Sequence, residues 1–124
     1  MKRIALCLML FWLSPAFAGE DQEIEFLLTA VEQSKCTFIR NDKPHPADEA
    51  ADHLRMKYGR GRWAVDNAEE FIDRIASKST LSGDPYRVQC DGAEPELTRT
   101  WLTARLAEYR AASAEQHRSA SNLD

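Results

Sequence analysis

The chain has 124 residues, of which 16 are basic and 20 acidic, so its formal net charge is −4. This length fits one domain with a modest core and leaves no room for two. The acidic balance argues against nucleic acid and anionic lipid surfaces as general partners, because binding to phosphates depends on a basic face.

Residues 1–18 have the order of a secretory signal peptide. Lys2 and Arg3 precede an apolar run at 4–13, and Ala16-Phe17-Ala18 ends the segment as a cleavage site. We expect export by the Sec-type pathway and cleavage after Ala18, which leaves 106 residues with 14 basic and 20 acidic side chains, a net charge of −6. The apolar run is about half the ~20 residues of a spanning helix and no later segment is more apolar, so we expect no membrane insertion after processing.

Helical periodicity predicts four helices in the mature chain, at 20–34, 47–58, 67–77 and 95–112. Asp66 and Glu69 have the spacing of a capping box ahead of the third helix. The buried stripe expected on the last helix consists of Leu97, Trp101, Leu102, Leu106 and Tyr109. Residues 113–124 are predicted to form a flexible polar tail, so a single globular domain is expected at 19–112.

Two short strands are predicted, at 37–40 and 86–90. A turn is expected at 41–43, and Pro44 and Pro46 are expected to stop the first strand. The predicted fold is α+β and mostly α, with about four helices packed on a two-stranded antiparallel ribbon. The large core residues expected are Phe38, Phe71, Tyr86 and Trp101.

Cys36 and Cys90 are the two cysteines that remain after processing, and an even count in a small exported domain predicts a disulfide. Antiparallel pairing of the two strands would bring them together. The bond would close a loop of 55 residues, which is worth roughly 4 kcal/mol of stability. No Cys-x-x-Cys motif supports a redox role, so we interpret the pair as structural.

An ordered set of motifs resembles the YfeK-like family of small exported proteins of Gram-negative bacteria, a domain of unknown function. The motifs are residues 34–41, Glu49-Ala50, His53-Leu54 with Lys57, Phe71-Ile72, and 77–86 with Ser82-Gly83. The resemblance covers about residues 20–110. It implies a periplasmic location and brings no catalytic residues. The position after Asn41, often glycine in the family, is Asp42 here, and aspartate also tolerates the left-handed backbone of a turn.

The strongest candidate site is a polar pocket for a small anionic ligand. His53 and Lys57 lie one helical turn apart, while Arg40 and Asn41 stand at a strand end. A loop from 79 to 83 completes the group, and the ligand-binding candidates are Arg40, Asn41, His53, Lys57, Ser79, Ser82, Gly83 and Tyr86. Their donors suit carboxylate or phosphate. The alternative is that Arg40 pairs with a nearby acid, His53 caps a helix or packs, and the serine loop satisfies only its own turn.

Other chemistry has weaker support in the sequence. A hydrolase would use Ser79 or Ser82 as nucleophile, His53 or Lys78 as base and Glu49 to orient His53, but no Gly-x-Ser-x-Gly elbow is present. His45, Glu49 and His53 recur every four residues, yet the prolines around His45 argue against a metal site. We expect no catalytic residues, no metal and no cofactor. Lys57, Arg60 and Arg62 form a basic knot that is typical of a solvated loop.

The leading hypothesis is therefore a periplasmic, non-enzymatic binding or protein-interaction module. Its partner would be an envelope protein or a small anionic ligand, and its oligomeric state is left open. The alternatives are a small periplasmic hydrolase that uses His53 and a serine of the loop 77–83, and an inhibitor or immunity protein.

Overall fold

The computed structural model describes residues 18–123, so the predicted signal peptide lies outside the described residues apart from Ala18. The helices are α1 Ala18–Gln33, α2 Ala47–Gly61, α3 Ala68–Phe71 and α4 Thr98–Ser121. A 3₁₀ turn, Arg62–Ala64, follows α2, and a π-helical turn, Ile72–Ala76, continues α3. The strands are β1 Thr37–Arg40, β2 Lys43–Pro46, β3 Arg87–Gln89 and β4 Glu96–Leu97. In residues 18–123 no helix has the length and hydropathy needed to cross a bilayer.

The α+β class is confirmed, but the sheet has four strands where the sequence predicted two. Its order is β2-β1-β3-β4, with every neighbouring pair antiparallel. The predicted ribbon is the central pair, in which Phe38 lies opposite Val88 and Thr37 opposite Gln89. Two edge strands therefore flank the pair that the sequence predicted.

The first edge strand, β2, contains both of the prolines that were expected to end the sheet. Ile39 pairs with Pro44 and Thr37 with Pro46. Proline is tolerated on an edge strand because only one side of the strand has to supply ladder hydrogen bonds. Asn41 and Asp42 join β1 to β2 with φ values of 51° and 63°. Positive φ at both central residues is the backbone of a two-residue type I′ hairpin, which Asn and Asp adopt more readily than most residues.

The second edge strand, β4, replaces the first turn predicted for the last helix. Leu97 pairs with Arg87 of β3, and α4 begins at Thr98. Leu97 is 38% exposed and so does not join the buried stripe, whereas Trp101, Leu102 and Leu106 do. The predicted helix end at 112 is also wrong, because α4 continues to Ser121. The flexibility of residues 113–124 stays a prediction.

The core lies between the helices and one face of the sheet, and the four large residues expected there are all buried. Phe38 of β1 meets Trp101 of α4 edge to face, with ring centroids 5.9 Å apart. At the edge of the core, Tyr109 stacks on Phe26 of α1 at 4.5 Å. Aromatic pairs in these geometries add roughly 0.5–1.5 kcal/mol to the free energy of burying their area. The rings therefore join α4 to both the sheet and α1.

The predicted disulfide between Cys36 and Cys90 is present, with Cα atoms 4.3 Å apart. Cys36 directly precedes β1 and Cys90 directly follows β3. Antiparallel pairing of these two strands places the cysteines side by side, as the sequence predicted. The bond thus closes one end of the central strand pair.

The start of α3 differs from the sequence prediction by one residue. Asn67 is the N-cap, and its side chain accepts a hydrogen bond from Glu70 N at 2.8 Å. The Glu70 carboxylate accepts from Asp66 N, also at 2.8 Å. These reciprocal bonds satisfy backbone donors at the helix start in the manner of a capping box. Glu69, which the sequence assigned to the cap, instead pairs with Arg110 of α4.

Candidate functional site

An open cleft of ≈ 590 Å³ lies between α2, the end of β1 and the loop that leads to β3. We call it the cationic cleft. Its less exposed wall is formed by Arg40, His53, Lys57, Ser79 and Tyr86, and the exposed Asn41 borders that wall. Two further arginines, Arg60 and Arg74, line its outer part together with the apolar side chains of Met56, Trp63 and Leu81.

The helix α2 supplies one face of the cleft because its opposite face is buried. Its buried residues are Ala47, Ala50, Ala51, Leu54 and Tyr58. Met56 and Lys57 come three and four residues after His53, and Arg60 comes four and three residues after them, so all four share the other side of the helix. Burial of the alanine-rich face thus turns two cations and a histidine toward the cleft.

A long-range hydrogen bond attaches the serine loop to the β1–β2 turn. Ser82 Oγ donates to Asn41 Oδ1 at 2.8 Å. The loop also closes on itself, since Ser79 N donates to Asp84 O and Gly83 N donates to Ser79 O, both at 2.9 Å. Gly83 has a φ of 77°, a backbone conformation that glycine adopts without strain. The loop therefore has a defined shape where it borders the cleft.

Lys57 is held in the cleft by neutral oxygen atoms. Its Nζ donates to Lys78 O at 2.9 Å and to Tyr86 Oη at 3.1 Å. The same atom lies 4.9 Å from the centroid of the Tyr86 ring, within the range of a cation–π contact. Burial, with a smaller contribution from the positive charge of Arg40, lowers the pKa of Lys57 to about 8.

His53 is neutral at pH 7 because the cleft disfavours its charged form. Burial lowers its pKa to about 4, and the nearby cations Arg40 and Lys57 and the ring of His45 act in the same direction. Its Nε2 lies 3.5 Å from Tyr86 Oη, which is long for a hydrogen bond. Burial also raises the pKa of Tyr86, so the phenol keeps its proton at neutral pH.

Three cations of the cleft have no acidic partner among residues 18–123, whereas Arg74 in its outer part lies 3.5 Å from Glu70 Oε1. In the part of the chain that the structure describes, no carboxylate lies within 4.0 Å of a charged nitrogen of Arg40, Lys57 or Arg60. Arg110, by contrast, lies between Glu23 and Glu69. An acidic protein therefore carries a concave patch of uncompensated positive charge.

The structure brings six of the eight candidate ligand-binding residues to the walls of this cleft. Ser82 and Gly83 belong to the loop beside it and shape the wall without lining it. The alternative weighed for Arg40 was an ion pair with an acid. Among residues 18–123, no carboxylate pairs with Arg40. The serine loop does satisfy much of its own turn, as the same alternative expected, because Ser79 Oγ accepts from Ser82 N at 3.3 Å.

Several residues of the cleft were not predicted from the sequence. Arg60 was assigned to a solvated loop, but α2 continues past Gly59 to Gly61 and carries Arg60 onto the face of Lys57. The spacing from His53 to Arg60 was the available signal. Trp63 and Leu81 lie outside regular helices and strands of the predicted fold, where periodicity supplies no signal.

The hydrolase arrangement proposed from the sequence is not assembled. Glu49 Oε1 lies 2.9 Å from Nδ1 of His45, so it orients His45 and not His53. Among the described residues no serine hydroxyl is hydrogen-bonded to the ring of a histidine. No group of three His, Cys, Asp or Glu side chains in residues 18–123 is placed to hold a metal ion. The contact between Glu49 and His45 contradicts the predicted role of Glu49 in orienting His53.

The low pKa of His53 predicts a loss of stability in acid. The unfolded chain takes up a proton near pH 6.5, but the folded chain does so only near pH 4, so the unfolded state binds more protons between these values. The free energy of unfolding should therefore fall as the pH drops from 6.5 to 4. Over this pH window, the free energy of unfolding of His53→Asn should fall by about 1 kcal/mol less than that of the wild type. This value is discounted because His53 is partly exposed to solvent.

Urea unfolding at pH 7, 5.5 and 4.5 measures this difference. His117→Asn, on an exposed turn of α4, is the matched control. Equal acid sensitivity of the wild type and His53→Asn would contradict the pKa assigned to His53.

Comparison with known proteins indicates a family. A family model described as a family of unknown function (DUF5329) matches residues 18–110. The chain is also 41% identical over 92 residues to a protein of Salmonella typhimurium named "Uncharacterized protein YfeK", with 69% of this chain and 77% of the relative covered. No solved structure matches the chain. The predicted resemblance is thus confirmed: the chain is similar to the YfeK protein and belongs to the DUF5329 family.

Proposed function

We propose that this protein is a non-enzymatic periplasmic binding protein whose cationic cleft binds an anionic ligand. The observation that carries the proposal is the concave cluster of Arg40, Lys57 and Arg60 without a carboxylate partner among the described residues. Bringing cations together without counter-charges is unfavourable. An anion in the cleft would remove that cost.

The hydrogen-bonding groups of the cleft favour an acceptor-rich ligand such as a carboxylate or a phosphate. The Lys57 ammonium has three donors, and Lys78 O and Tyr86 Oη occupy two of them. Asn41 uses its carbonyl oxygen to accept from Ser82, which leaves its amide N–H groups as donors. The Arg40 guanidinium can add two parallel charge-assisted bonds. A ligand that presented only donors would find few acceptors here.

Ligand charge also links binding to pH. An anion near Lys57 offsets the repulsion from Arg40 and raises the pKa of Lys57 above its value of about 8. Binding is therefore accompanied by proton uptake above pH 8. Affinity for an anion should fall as the pH rises from 8 to 10, because a growing fraction of the unliganded protein carries neutral Lys57.

Thermal unfolding of the oxidised protein, residues 19–124, tests the proposal. The compounds are phosphate, sulfate, organic acids, nucleotides and anionic cell-wall fragments, each at constant ionic strength. A ligand at ten times its Kd adds about 1.4 kcal/mol of stability, which raises Tm by roughly 6–10 °C for a domain of this size. At least one anion should produce such a shift.

The Arg40→Gln/Lys57→Gln variant should lose the shift, and Arg87→Gln/Arg118→Gln should keep it. Arg87 and Arg118 are exposed and do not line the cleft, so their replacement controls for the loss of two positive charges. If no anion shifted Tm, or if the double variant responded as the wild type does, the proposed function would be wrong.

A further inference from the structure

The cationic cleft has an apolar part that anion binding alone does not use. Met56 is 45% exposed, Trp63 is 88% exposed and Leu81 is 99% exposed. Among the described residues, five large hydrophobic side chains are exposed by 38% or more. Three of the five line this cleft. They come from α2, the 3₁₀ turn and the serine loop, so three separate segments converge there.

Scattered single apolar residues on a surface need no explanation, but a group of them in a concave site does. Ligand sites typically combine apolar walls with a few convergent polar groups and enclose roughly 300–1,000 Å³. The cleft has this composition, and its volume of ≈ 590 Å³ is far larger than a phosphate or acetate ion needs. A bare anion would occupy only the end near Arg40 and Lys57.

We infer that the ligand is a small amphiphilic anion, whose carboxylate or phosphate contacts Arg40 and Lys57 while an apolar chain or ring lies against Met56, Trp63 and Leu81. The inference rests on the proposed function for the anionic half of the ligand and adds the apolar half. A bilayer surface fits less well, because the mature chain has a net charge of −6, which anionic lipid headgroups would repel.

Straight-chain carboxylates of increasing length provide the probes. Acetate, butanoate, hexanoate and octanoate are titrated by calorimetry into residues 19–124, with 1-hexanol as the uncharged match to hexanoate. Each methylene buried against the apolar wall should tighten binding by about two- to fourfold. Hexanoate should bind more tightly than both acetate and hexanol.

Tryptophan fluorescence reports on the apolar wall directly. After processing, the chain retains Trp63, which is exposed, and Trp101, which is buried. Octanoate should shift the emission of Trp63 to shorter wavelength as the chain displaces water from the indole. The Trp63→Phe variant should lose this signal, because Trp101 is already shielded from solvent.

Leu81→Ser tests the contribution of the wall to affinity, and Leu123→Ser is the matched control. Both leucines are almost fully exposed, so neither change removes core packing, and Leu123 does not line the cleft. Octanoate should bind more tightly than acetate, and Leu81→Ser should reduce this gain in affinity severalfold. Leu123→Ser should retain the full gain.

The outcomes separate this inference from the proposed function. If acetate and octanoate bound equally, or if Leu81→Ser kept the full gain, the apolar contact would be wrong and anion binding would stand. If hexanol bound as tightly as hexanoate, the anionic contact would be refuted. Binding to zwitterionic vesicles through Trp63 without octanoate binding would assign the wall to a membrane surface and overturn the inference. Failure of every anion, inorganic phosphate included, would refute the proposed function itself.

Discussion

Replacing both Cys36 and Cys90 with serine is expected to lower the free energy of unfolding by about 4 kcal/mol. The bond joins residues 54 apart in sequence, so its loss frees a long loop in the unfolded chain. A small domain has a total stability of roughly 5–15 kcal/mol, so the variant should keep only about 1–11 kcal/mol. Urea denaturation of the variant and of the oxidised wild type measures the difference.

The cysteine variant should also lose affinity for anions. The disulfide joins the start of β1 to the end of β3, and the cleft takes Arg40 from the other end of β1 and Tyr86 from the residue before β3. Looser pairing of these strands would separate two walls of the cleft. Wild-type protein treated with a reducing agent is the control, and it should behave as the variant does. A decrease of less than about 1 kcal/mol in the free energy of unfolding of both samples would contradict the stabilising role assigned to the disulfide.

Phe71→Ala is expected to destabilise the protein by about 4 kcal/mol, within the range for removing a buried aromatic ring. Phe71 is completely buried, and its ring meets that of Tyr58 edge to face at 5.5 Å. Tyr58 lies on the buried face of α2, opposite the residues that line the cleft. The substitution would leave a cavity between α3 and α2 and so loosen the helix that presents Lys57.

Phe71→Leu is the matched control for this prediction. Leucine keeps most of the apolar volume, so its cost should be clearly smaller than that of alanine. Urea midpoints at pH 7 compare the two variants with the wild type. Equal destabilisation by leucine and alanine would show that the ring contact with Tyr58, and not filled volume, determines the stability of this site.

Much of the candidate site was predictable because a single helix carries its chemistry. The alanine-rich stripe of α2 identifies the buried face, and His53 and Lys57 necessarily lie away from it. Arg40 and Asn41 were predictable as candidates because they lie at the end of β1, whose residues have high β-propensity. Arg60 was missed because Gly59 was expected to end α2, although the helix continues over two glycines to Gly61.

The edge strands were harder to predict for a different reason. Proline disfavours strands in general, so Pro44 and Pro46 indicated a break. The penalty disappears at an edge, and whether a segment lies at an edge is a property of the whole sheet. The two residues of β4 likewise become a strand only because β3 lies beside them.

The sequence by itself determined the number and order of the four helices, the central strand pair, the disulfide and the four large residues of the core. These features follow from local periodicity, residue type and the small number of cysteines. The tertiary structure alone decided which polar groups meet: Ser82 bonds to Asn41, Glu49 to His45, and Arg110 to Glu23 and Glu69. Such pairs depend on how separate segments pack, and several residues compete for each partner. For the same reason only the folded chain shows that Arg40 and Lys57 share a cleft in which neither is paired with a carboxylate of residues 18–123, and that Trp63 and Leu81 border it.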